Sequence, residues 1–109
     1  GKWMAQRVAG TRWLTSYGTK AENASRVKVA PRADGQFAVF WEQWTGKAYI
    51  ETFGMVLDAQ GTARVPPTSL GKALRLSRRD DPFVHEGKIV HVSGNASAKT
   101  LTLDVFSAL

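Results

Sequence analysis

Residues able to carry proton transfer or nucleophilic chemistry are few in this chain. Histidine occurs twice, at His85 and His91. His91 sits in an apolar strand pattern between Val90 and Val92, where it serves one face of a sheet better than it serves catalysis. His91 and Ser93, two apart on a strand, share a face. With no third group to orient the imidazole, the pair does not amount to a nucleophile and its base. His85 and Glu86 are neighbours in a turn and point apart if the backbone is extended. Asp80-Asp81 follows Arg78-Arg79 directly, and mutual neutralisation in a loop accounts for these four better than general acid–base work. Glu42, Glu51 and Asp58 would form a glycosidase-like pair only at a separation that the sequence does not fix. There are no cysteines, which excludes disulfides, thiolate metal sites and cysteine nucleophiles. Two histidines with scattered carboxylates make no zinc site, and no glycine-rich phosphate loop is present. The expectation is a protein that is not an enzyme, with no catalytic residue, no metal and no cofactor.

The four tryptophans are the better lead. Trp41 and Trp44 are three apart, so in a straight strand they face opposite sides, one buried and one free. Trp44 lies beside a turn, with Glu42 and Gln43 as neighbouring polar groups. An aromatic face next to hydrogen-bonding side chains holds sugars, and the same arrangement stacks bases. Trp13, next to Arg12 and near Tyr17, is a second such platform. The ligand-binding candidates are therefore Trp44, Glu42, Gln43, Trp13 and Tyr17.

Charge adds a second set. The net charge is +6. Residues 1–32 hold seven basic side chains against one acid, Glu22, and residues 33–109 hold eight of each, so the whole excess lies in the first third. A basic surface favours nucleic acid, acidic glycans or acidic proteins. Arg12, Arg26, Lys28 and Arg32 are the anion-binding candidates. Arg75, Arg78 and Arg79, with Lys72, form a later basic set able to contact phosphate, balanced by Asp80 and Asp81 if the loop is simply solvated. Asn23-Ala24-Ser25 and Asn95-Ala96-Ser97 match the short glycosylation acceptor pattern, which matters only in a secreted eukaryotic protein.

The elements that must position these residues read as strands. Phe37–Trp41 follows the Asp34-Gly35 turn. Ala48–Phe53 follows Thr45-Gly46-Lys47, and the apolar run Gly54–Leu57 ends at the Asp58–Gly61 turn. Lys88–Val92 follows Glu86-Gly87, and Thr100–Phe106 alternates polar with apolar, the mark of a half-buried strand. Trp3–Val8 is a weaker strand. Residues Thr68 to Arg79, between Pro66-Pro67 and Asp80-Asp81-Pro82, read as loop plus strand in preference to a short helix. With 109 residues, 43% hydrophobic and 22% charged, the chain forms a single all-β domain with a modest core. Its apolar runs are too short to span a membrane. It starts neither with a signal peptide nor with an initiator Met, as a cleaved, tagged or excised product would.

Sliding the chain by 52 residues places Gly35–Trp41 on Gly87–Ser93 without a gap. Tyr49, Glu51 and Phe53 fall on Leu101, Leu103 and Val105, and most hydrophobic positions match well, Glu51 being the exception among these three. A looser match sets Gly1–Met4 on Gly46–Tyr49. The expectation is two strand-repeat units, about 1–53 and 54–109.

The stretches Trp3–Trp13 and Val29–Gln43, with their Pro31 strand, Asp34-Gly35 turn and apolar strand ending at Trp41, resemble one blade of the bacterial extracellular β-propeller repeats. The resemblance implies an extracellular protein of about two propeller-like blades, with Trp41 packing between blades. In the second unit Glu86-Gly87 replaces Asp-Gly and Ser93 stands in place of Trp41. A closed propeller needs at least about four blades, so two units would be a fragment or would complete a ring by self-association or with other chains. The alternative fold is a small closed, OB-like barrel. Two functions follow: a non-catalytic, lectin-like recognition module that binds carbohydrate as part of a larger propeller or oligomer, or a basic nucleic-acid-binding or scaffold barrel within a multi-subunit assembly.

Overall fold

The computed structural model describes residues 12–106. They form seven antiparallel strands: β1 Glu22–Pro31, β2 Phe37–Thr45, β3 Ala48–Leu57, β4 Ala63–Gly71, β5 Phe83–His85, β6 Lys88–Asn95 and β7 Thr100–Phe106. No helix occurs among the described residues, and none is long and apolar enough to cross a membrane. The strands make two meanders, a four-stranded sheet in the order β1-β2-β3-β4 and a three-stranded sheet in the order β5-β6-β7. Neither sheet closes on itself among the described residues, so the closed barrel is not the observed architecture; closing a barrel needs the first and last strands to pair.

The central hairpin follows the sequence closely. β2 runs through Trp41 to Thr45, and the two patterns Ala48–Phe53 and Gly54–Leu57 are one strand, β3. Residue 53 is therefore internal to β3, and the sheets part in the segment between Gly71 and Phe83. Gly46 (φ 58) occupies the left-handed region at the β2–β3 turn, and Glu86 (φ 50) with Gly87 (φ 74) forms the two-residue β5–β6 turn, the backbone that tight hairpins require. β5 was not legible in the sequence, β1 was legible only at its Pro31 end, and β4 only at its Thr68–Gly71 end, inside the stretch read as loop plus strand. β4 contains Pro66-Pro67 yet pairs with β3. It is an edge strand, and its pairing breaks between Val65 and Thr68, where the prolines sit, which is how a sheet tolerates residues without an N–H. The segment from Lys72 to Pro82 carries no helix.

β2 reads as an unbroken apolar run because both of its faces are covered. One face carries Ala38 and Phe40, which join Ala30, Leu76 and Ile89 in a core that Leu70 and Phe106 complete. Phe40 and Phe106 meet at 5.0 Å between ring centroids, which ties the two sheets together. The opposite face carries Val39, Trp41 and Met55, packed by Leu14, Phe53 and Leu57. Trp41 stacks on Phe53 and donates its indole N–H to the Tyr17 hydroxyl at 3.0 Å. Burying these aromatics contributes roughly 1.5–3 kcal/mol each.

The 52-residue shift superposes Phe37 on Ile89. Phe37 pairs with Leu57, whereas Ile89 pairs with Phe106, three positions short of Leu109, on which Leu57 falls. The strands correspond, and the second hairpin is shorter. The Trp3–Val8 strand, Lys2 and Arg7, and the first leg of the looser match lie outside the described residues.

Candidate functional site

Along one side of the molecule a groove opens between the two sheets. It is built around a carboxylate. Glu42 is wholly buried, with no exposed surface. Its Oε1 accepts from Arg26 Nη1 at 3.1 Å, and both of its oxygens accept from Arg75 Nε, at 3.4 and 3.3 Å. Two guanidinium groups meet the need of a buried charge for partners.

A backbone irregularity aims Arg26. Ser25 pairs with Glu42 and Lys28 with Phe40, so Arg26 and Val27 together oppose Trp41 alone. In a regular strand Arg26 would lie on the Trp41 face. The bulge puts Arg26 at φ 53 and turns its side chain to the Glu42 face, the re-aiming that bulges provide. A left-handed conformation is strained for a residue with a Cβ. Here it is held by the bond to Glu42 and a second from Nη1 to the Leu76 carbonyl at 3.1 Å.

Arg75 is fixed by the segment linking the sheets. Thr52 Oγ1 donates to the Leu74 carbonyl at 2.6 Å, and the Tyr49 hydroxyl lies 3.1 Å from the same carbonyl and 2.8 Å from Thr52 Oγ1. Arg75 then lies over the Tyr49 ring, 3.9 Å from its centroid. Trp44 is flanked by both cations, with Arg26 at 5.5 Å and Arg75 at 5.7 Å, and meets Tyr49 edge to face. Cations held over aromatic rings are attracted by the ring quadrupole. The Trp44 Nε1 is buried and has no hydrogen-bond partner among the described residues.

From this cluster the groove runs two ways, and Arg26 and Arg78 line both parts. At one end a hollow of about 440 Å³ is lined by Trp44, Asn23, Ser25 and Lys47. Beyond it lies an open cleft of about 1150 Å³. One wall of this cleft carries Arg75, Arg78 and Arg79, and the other carries Ser93, Asn95, Thr100 and Thr102 from β6 and β7. Asp80 is the one acid lining the cleft among the described residues, and it accepts from Ser77 Oγ at 3.3 Å. No carboxylate among the described residues comes within 4.0 Å of Arg78 or Arg79. The expected neutralisation of Arg78-Arg79 by Asp80-Asp81 is thus absent: Asp81 instead reaches Lys28 at 3.7 Å.

The other sequence candidates lie away from this groove, and two of them meet: Tyr17 and Gln43 line a hollow of about 170 Å³ beside Trp41 and Phe53. Glu42 and Trp44 share one face of β2, and Gln43 lies on the other, its Nε2 3.4 Å from Glu22 Oε2. Tyr17 is committed to Trp41, and Trp13 is 92% exposed. Trp41 and Trp44 do take opposite faces, one buried and one at the groove. Of the anion-binding candidates only Arg26 reaches the groove. Arg12 donates to the Gly61 carbonyl, Lys28 is buried against Asp81, and Arg32 pairs with Asp34 at the β1–β2 turn. The later set, Arg75, Arg78 and Arg79, joins Arg26 across a bulge and a sheet-to-sheet contact that spacing alone does not disclose. Glu42 carried the one available signal: a carboxylate inside an apolar run demands a basic partner.

The histidines are also placed. His91 Nε2 accepts from the Ser77 backbone N–H at 3.1 Å, and Nδ1 faces Asp104 at 3.6 Å. With its acceptor nitrogen occupied by backbone, His91 does not serve Ser93 as a base. His85 and Glu86 do not point apart, because Glu86 is left-handed and brings its carboxylate to 3.7 Å from His85 Nε2. No group of three His, Cys, Asp or Glu side chains able to hold a metal occurs among the described residues. No family model matches the chain, and neither curated proteins nor solved structures yield a match.

Proposed function

We propose that the chain is a non-catalytic recognition module that binds an acidic carbohydrate in the groove between its sheets, and that the two sheets are consecutive blade-like units of a larger propeller or oligomer. The observation that carries the ligand reading is the pairing, in one groove, of Arg78 and Arg79, which no carboxylate among the described residues pairs, with the row Ser93, Asn95, Thr100 and Thr102. Guanidinium forks match carboxylate and sulfate groups in two-point contacts, and hydroxyl and amide side chains match sugar hydroxyls. Trp44 at the adjoining end offers an aromatic edge for a sugar ring. Glu42 acts as a positioning residue that holds Arg26 and Arg75 in the wall. The blade reading is supported by the meander order of both sheets and by the 52-residue correspondence of their inner strands.

The same charges favour a second reading, a nucleic-acid site, and direct comparison separates the two. A glycan array carrying neutral, uronate-bearing and sulfated oligosaccharides is probed alongside single-stranded oligonucleotides at two salt concentrations. Binding to the acidic glycans, lost in Arg78→Ala/Arg79→Ala, is the expected result. Preference for the oligonucleotides, with affinity falling by orders of magnitude from low to moderate salt, would replace this reading with the second.

A further inference from the structure

The three-stranded sheet has one apolar face that is largely exposed among the described residues, with Val90 alone buried on it. Its pairing register defines that face: Phe83 and Val105 flank Val90, Leu103 lies opposite Val92, and Leu101 opposite Gly94. Leu101 is 82% exposed, Leu103 64% and Val105 52%, and Phe83 and Val92 are exposed beside them. The other face of the same sheet supplies Ile89 and Phe106 to the core shared with the first sheet. A sheet that joins the core through part of one face and leaves an apolar opposite face exposed presents a surface that soluble proteins rarely show without a partner.

The correspondence between the units says what that partner is. Ala38, Phe40 and Glu42 are the residues by which the first sheet packs toward the second. Shifted by 52, they fall on Val90, Val92 and Gly94, the uncovered face. The first sheet therefore packs through this face on the back of the second, and the second presents the same face with no described residue packed behind it. The back face of the first sheet is also partly open: Trp41 and Phe53 are covered by Leu14 and Tyr17, but Val27, Val29 and Phe37 are exposed.

From this we infer that copies of the chain associate head to tail, the Leu101–Leu103–Val105 face of one docking on the Val27–Val29–Phe37 face of the next. This continues the interface that already joins the two sheets. Such a contact is heterologous: it uses two different surfaces and propagates until the rotation closes a ring. The inference rests on the reading of the sheets as repeat units and not on the nature of the ligand.

The test uses the full chain and two exposed substitutions, Leu103→Lys and Val29→Lys, each checked for an unchanged thermal transition. Light scattering over a concentration series should show the wild type growing beyond a dimer or closing as a defined ring, and each variant alone monomeric at the same concentrations. Mixing the two variants should restore a one-to-one dimer that grows no further, because each retains the face the other lacks. A wild type that stays monomeric, or a Val29→Lys variant that still dimerises (the sign of like faces meeting), overturns the inference. Glycan binding measured on the same variants reports separately on the groove and should be unchanged.

Discussion

Glu42 Oε1 lies 3.1 Å from Arg26 Nη1, on a carboxylate with no exposed surface, and the guanidinium reaches it only through a bulge at Arg26 itself. One charge buried in the middle of an apolar strand thus sets the backbone of its neighbour strand and one wall of the groove.

Glu42→Gln should therefore destabilise the fold. Breaking a fully buried ion pair costs about 3–5 kcal/mol, and because Arg26 and Arg75 keep partial access to water the lower end, about 3 kcal/mol, is expected. Urea unfolding of the two proteins measures it. A change below about 0.5 kcal/mol, the range of ordinary surface substitutions, would mean that the carboxylate is not the organising charge.

Tyr49→Phe keeps the ring under Arg75 and removes the hydroxyl that meets Leu74 and Thr52. The loss of a hydrogen bond of this kind is about 1 kcal/mol. The linking segment should loosen, and acidic-glycan affinity should fall with it. Hydrogen exchange at the amides of residues 74–77 should quicken, and unchanged protection there would contradict the role given to Tyr49.

Phe40→Ala removes the ring that joins the sheets through Phe106. A cost of about 3–5 kcal/mol is expected for a core aromatic. A calorimetric melt should show the whole chain destabilised as one transition. Two separate transitions would mean that the sheets fold independently of this contact.

Asp58 closes the β3–β4 turn. Its pKa lies below the ordinary 3.8 chiefly because its carboxylate accepts the Thr62 backbone N–H; desolvation opposes this, and the Gln60 backbone N–H and the Arg64 and Arg12 charges add to the lowering. A carboxyl whose pKa is depressed by folding stabilises the fold above its unfolded pKa and loses that contribution as the pH falls through the folded value. The wild type should therefore lose more stability than Asp58→Asn when the pH is lowered from 5 to about 2, a window set by ordinary carboxyl titration. Parallel melts across that range check it, and identical pH profiles would contradict it.

Much of the scaffold was legible because hairpins announce themselves. The alternation in Thr100–Phe106, the Glu86-Gly87 and Thr45-Gly46 turns and the apolar run of β2 each point to one local structure. The part of β1 before Val29 was hidden because its bulge at Arg26 breaks the period and Lys28 puts a charge at a buried position. The part of β4 before Thr68 was hidden by Pro66-Pro67, which only an edge position tolerates, and β5 has just three residues. Of the groove, Trp44 and the Arg75–Arg79 cluster could be named from residue type. Their union with Arg26, and the burial of Glu42, depends on contacts between residues 16 to 50 positions apart, which no local pattern encodes. Gln43 shows the converse: adjacency in a strand separates side chains onto different faces, and Gln43 lines the hollow beside Tyr17 and Trp41 and not the groove.

The most direct test of the groove as the ligand site is a nitrogen-15 NMR titration of the full chain with a sulfated oligosaccharide. Shifts confined to the amides of Ser77, Arg78, Ser93 and Thr102 and to the indole N–H of Trp44 are the predicted result. Shifts centred on Trp13 and Tyr17, or none at a concentration that saturates the array, would contradict it.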